Sequence, residues 1–155
     1  MPTPKKKAEH QLEDIHYQLR YFGDSCSPPE GKHDLRKLAV ETISMLPEEV
    51  QDWFLAKTTH FFIGGSGQNG ESFDILVPAL EVKDDLVKLR VIYLSERLMD
   101  MPKDEVLWMI AHEIAHSWLD HNSGGYDVEV EVDMQVQEWG FKEPRSRKSD
   151  REMYR

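Results

Sequence analysis

Residues 102–121 read PKDEVLWMIAHEIAHSWLDH, and the rest of the 155-residue chain is best read outward from this stretch. Pro102 suits an early helical position, where its missing N–H is no loss. Asp104 and Glu105 favour the positive end of a helix, and Asp100 offers a cap just ahead of Met101. Trp108, Met109, Ile110, Ala111, Ile114, Ala115, Trp118 and Leu119 leave little polar surface on any side, the pattern of a buried helix. Ser123, Gly124 and Gly125 end it. Its middle nevertheless carries His112, Glu113 and His116, which are costly to bury unless each finds a partner.

The spacing suggests a metal as that partner. Positions i and i+4 are adjacent on a helix, so both imidazoles can reach one point. Glu113 is offset by about 100° around the axis, near a bound ion without being a ligand. Catalytic zinc takes three protein ligands and one water, which fits two histidines and one further donor. Zinc lowers the pKa of its water, and a nearby carboxylate can take the proton.

The third donor is sought in the next helix, expected over residues 126–139 and stopped by Gly140. With Glu129 at 0° and about 100° per residue, Val132, Val136, Trp139 and Val128 fall between about 260° and 340°. Glu129 lies at the edge of that apolar face, with Asp133 at about 40°, whereas Glu131 falls near 200° and points to water. Glu129 is therefore the expected ligand, and Asp133 is placed to accept a hydrogen bond from a histidine ligand's other nitrogen. His121 competes for the third position. It stands nine residues beyond His112, where a third histidine at ten would meet Asn122 instead. His10, His16, His33 and His60 show no ligand spacing.

His112-Glu113-Ile114-Ala115-His116 followed by Glu129 and Asp133 resembles the gluzincin signature, HExxH then ExxxD. The short interval between the halves resembles minimal zincins, in particular small bacterial and phage metallopeptidases of the ImmA/IrrE-like kind. The resemblance is specific over residues 91–141. It implies one zinc ion on His112, His116 and Glu129, Glu113 as catalytic base, and Asp133 behind a ligand. It also implies that a strand over residues 90–94 borders the cleft and pairs with an extended peptide substrate. The helix-turn-helix module that often accompanies ImmA/IrrE-like peptidases finds no match here.

Before the central helix, residues 9–21 read as a helix, 23–32 as a loop, and a further helix begins near Asp34. Pro47 opens the next helix, followed by Glu48 and Glu49. Residues 58–63, 73–82 and 86–94 are strand candidates, with Asp84-Asp85 suggesting a hairpin. The glycine-rich stretch 64–70 lacks a phosphate-loop ending. The expected architecture is α+β and zincin-like: a small, mainly antiparallel sheet packs against the HEIAH helix, the Glu129 helix lies alongside, and N-terminal helices cover the core. One domain is expected over residues 9–141, with 1–8 and 142–155 as flexible termini.

Composition sets the class. With 39% hydrophobic and 31% charged residues, the chain reads as a globular protein. A net charge of -10 argues against nucleic-acid binding. The charge is uneven, because residues 142–155 hold six Lys/Arg against three Asp/Glu. That tail reads as a solvated end. Cys26 is the one cysteine, and no apolar run approaches the roughly 20 residues of a membrane helix. A cytoplasmic location is the default. The expected function is zinc-dependent hydrolysis of peptide bonds, by a zinc-bound water activated by Glu113, on a peptide or protein substrate. Three alternatives remain: a peptide-deformylase-like hydrolase, which would need a cysteine ligand nearer than Cys26; another zinc amidohydrolase; and a non-catalytic zinc-binding interaction domain with an unidentified protein partner.

Overall fold

The computed structural model describes residues 31–56, 60–65, 70–78, 86–121 and 124–155. The expected helix over 9–21, the loop around Cys26, and His10 and His16 lie outside them.

Helix α1, Leu35–Met45, begins at Asp34, whose side chain accepts the Arg36 N–H at 3.1 Å. Leu35, Leu38, Ala39, Thr42 and Ile43 recur at helical spacing and are buried. Helix α2, Glu48–Ala56, starts directly after Pro47 with Glu48 and Glu49 in its first turn. Gln51 ties the two helices together, donating to the carbonyls of Ser44 and Leu46 at 3.2 and 2.7 Å. Just before α1, His33 bonds the Met101 carbonyl at 2.9 Å, as an ordinary polar residue would.

The three strands are β1, His60–Gly65, β2, Gly70–Pro78, and β3, Leu86–Ser95. Their order in the sheet is β1-β3-β2. β2 and β3 are antiparallel, as the Asp84-Asp85 hairpin suggests, with Val77 opposite Val87. β1 runs parallel to β3, with His60 opposite Arg90 and Gly65 opposite Ser95. The sheet is thus mixed rather than mainly antiparallel. Two expected boundaries also move, because glycines thought to sit in a loop are strand residues: Gly64 and Gly65 close β1, and Gly70 opens β2.

The topology corrects a further expectation. Residues 90–94 lie in the central strand and are paired on both edges. A peptide cannot add along residues 90–94, because strands already lie on both sides of them. β1 and β2 carry the outer edges of this sheet.

A 3-10 turn, Glu96–Asp100, leads into helix α3, Lys103–Trp118. Pro102 occupies the cap position, and Asp100 pairs instead with Lys32 at 2.8 Å. α3 stops three residues short of His121, since Asp120 takes a left-handed φ of 54°. α3 is the hub of the fold, lying against α1, β2, β3 and helix α4, Tyr126–Glu138. Trp108, Ile110, Ala111, Ile114 and Ala115 are fully buried, as are Ile92 and Leu94 of β3. On α4, Val132 and Val136 are buried, Gly125 precedes the first turn, and the chain turns at Gly140 with φ 95°. Among the described residues, no helix is long and apolar enough to cross a membrane.

Residues 142–155 depart most from expectation. They form a short helix, α5, Arg147–Glu152, which packs against α4. Arg147 is buried. The segment is held by charge on charge, which a reading of its net +3 as solvated cannot register.

Candidate metal centre

α3 and α4 bring the expected residues to one point. His112 is 3% exposed and Glu129 5%, and His116 is half-buried. The Nε2 atoms of His112 and His116 stand 3.1 Å apart. One Glu129 oxygen lies 3.1 Å from His112 Nε2, and the other lies 3.4 Å from His116 Nε2. Donors at about 2.0–2.1 Å from a tetrahedral zinc are separated by about 3.3 Å, and these spacings are of that size, with each histidine meeting a different Glu129 oxygen. The donor set fits as well, since two imidazoles and a carboxylate suit zinc. A buried His112, His116 and Glu129 group of this kind could hold a metal ion.

Each histidine is held from behind. His112 Nδ1 donates to Asp133 Oδ1 at 2.9 Å, leaving Nε2 to face the cluster. Asp133 is 1% exposed, as the phase of α4 requires. His116 Nδ1 lies 3.4 Å from His121 Nδ1, and His121 Nε2 reaches the exposed Glu131 at 3.1 Å. His121 therefore stands behind His116, outside the ligand cluster. Glu131 faces solvent as expected, but it has a partner. Glu113 is buried next to His112 in sequence, and its charge acts on that imidazole.

The residues missed by the sequence reading are arginines. Arg147 Nε donates to Asp133 Oδ2 at 2.8 Å, and its Nη2 donates to Glu129 Oε2 at 2.5 Å. Arg151 Nη1 also reaches Asp133 Oδ2 at 2.8 Å and pairs with Glu143. Arg155 stacks 4.6 Å above the Tyr126 ring. The three arginines recur every fourth residue, a helical-face signal that counting charge conceals. Tyr154 is within electrostatic reach of the site: burial, then the Glu129 and Glu113 carboxylates, raise its phenol above the ordinary value.

Without a metal, protonation is the alternative way to balance this cluster. Burial alone would lower the pKa of His112, but hydrogen bonds to Asp133 and Glu129 and the charge of Glu113 outweigh burial and Arg147 and raise it to about 9. Burial pushes the Glu129 and Asp133 carboxyls up, but His112 holds both well below their usual range, helped by His116 for Glu129 and by Arg147 for Asp133. A histidine raised on folding stabilises fully below its unfolded pKa, about 6.5, and loses that contribution as pH rises through about 9. Depressed carboxyls stabilise above their unfolded values, about 4, and lose that contribution on acidification. In chelator, stability to urea should therefore peak between about pH 5 and 6.5 and fall by on the order of 3 kcal/mol by pH 9.5. A profile flat from pH 6 to 9.5 would show that His112 is not held by these carboxylates.

No known protein family, no curated protein and no solved structure matches the chain.

Proposed function

We propose that this protein is a zinc-dependent peptidase of zincin-like architecture, hydrolysing peptide bonds with Glu113 as the base. The observation that carries the reading is the convergence of His112, His116 and Glu129 on one point, with Glu113 buried on the same helix. A site that only held a metal for structure would have no need of a carboxylate at that position.

Zinc bound there supplies Lewis acidity, which polarises an amide carbonyl and makes water a competent nucleophile near neutral pH. The other tasks fall to the chain. His112 and His116 present their Nε2 atoms, and Asp133 fixes the His112 tautomer through Nδ1. Glu113 accepts the proton of the attacking water and returns it to the leaving amine nitrogen. The mixed sheet behind α3 and the α1 layer beside it keep that helix rigid, so the donors hold their spacing.

The test begins with metal analysis of the purified full chain, followed by a pool of diverse peptides. One zinc per chain is expected, with hydrolysis lost in chelator and restored by stoichiometric zinc. Chelation should also lower the melting temperature, because zinc at about 1,000 times its Kd stabilises the folded state by about 4 kcal/mol. Tightly bound zinc with no cleavage of any peptide would favour the non-catalytic reading.

A further inference from the structure

Burying a guanidinium is costly unless its donors are fully used, and Arg147 is 5% exposed. Its partners are the expected third ligand, Glu129, and the carboxylate that holds the first ligand, Asp133. These two carboxylates lie four residues apart on α4, one turn along the same face. One planar fork spans them through two N–H groups held in fixed geometry, where a lysine ammonium would offer a single point charge on a flexible stem. Arg151 adds a second donor to Asp133, so that three side chains, His112, Arg147 and Arg151, converge on one carboxylate.

We propose that Arg147 is a positioning residue of the metal centre: the segment 142–155 reaches back over α4 so that one guanidinium fixes Glu129 directly and His112 through Asp133. This rests on the metal-binding reading above. It assigns residues 142–155 to the site itself rather than to a solvated tail. It also makes a prediction opposite in sign to that of simple charge. Arg147 is a cation beside the seat of a dication, so if it acted by charge alone, its removal would tighten metal binding. If it acts by holding the ligands in place, its removal weakens binding.

The experiment measures zinc affinity of the full chain by competition with a chromophoric chelator, and the visible absorption of the cobalt(II) form. Arg147→Met should weaken zinc about 10- to 100-fold, the usual effect of losing a group that orients a ligand, and should alter the cobalt spectrum. Arg147→Lys should recover only part of the affinity. Lys148→Ala, an exposed neighbour, should match the wild type. Zinc bound by Arg147→Met as tightly as by the wild type, or more tightly, overturns the proposal. If Arg147→Met lacks the helical circular dichroism of the wild type, Arg147→Lys decides: tenfold weaker zinc supports the clamp, and affinity within twofold overturns it. A wild-type chain that takes up neither zinc nor cobalt overturns the metal centre itself, and that result appears before any arginine is changed.

Discussion

Glu113→Gln is expected to leave zinc content unchanged and to lower kcat for peptide hydrolysis by about 10²- to 10⁴-fold, the usual contribution of a positioned proton acceptor. Glutamine keeps the volume of a side chain that is 5% exposed, so α3 should not repack. It also keeps the hydrogen-bonding reach of the carboxylate and loses only the capacity to take a proton. Zinc should stay, because Glu113 is outside the His112, His116 and Glu129 cluster. The measurement is kcat on the best peptide from the pool, with zinc quantified on the same sample. Full activity in this variant would remove the proposed base, and loss of the metal would make Glu113 a ligand.

The second large effect concerns the third ligand. Glu129→Gln should weaken zinc by about 10²- to 10³-fold, since structural zinc affinities of roughly 10–16 kcal/mol shared over four ligands give about 2.5–4 kcal/mol each. Glutamine is nearly isosteric but carries no charge and is a poor zinc donor. The same change also leaves the buried Arg147 with Asp133 as its remaining carboxylate partner. Glu131→Gln and His121→Gln provide the contrast. Glu131 is exposed and meets His121, which stands behind His116, so neither should cost more than about tenfold, within the range of groups that orient a ligand. A larger loss in His121→Gln than in Glu129→Gln would move the third ligand to His121.

Much of this centre was legible in sequence because it obeys helical period. The i, i+4 histidines and the phase of α4 chose Glu129 and Asp133 over Glu131, and the apolar surround of residues 102–121 marked α3 as the buried hub. Helix starts at Asp34 and Pro47 were legible for the same local reason, caps and first-turn charges. The mixed sheet was not, because parallel pairing of β1 with β3 joins residues thirty apart in sequence, and strand patterns carry no direction. The glycines of β1 and β2 resembled a loop, since glycine reports permitted backbone rather than the backbone adopted. The arginine segment is not legible from net charge, which carries no information on where each charge falls around a helix. Arg147 and Arg151 at four-residue spacing mirror Glu129 and Asp133 at the same spacing, and only the fold shows that the two pairs face each other.

Ionic strength acts differently on the two kinds of ion pair in this molecule. Lys32–Asp100 and Lys103–Glu41 sit on the surface, where added salt screens them and little is lost. The Arg147 contacts to Glu129 and Asp133 are shielded from counterions by burial, so salt that loosens the rim leaves them intact. The same shielding means that added salt does not repair a missing guanidinium, because simple monovalent ions do not reproduce its two fixed donors between those carboxylates.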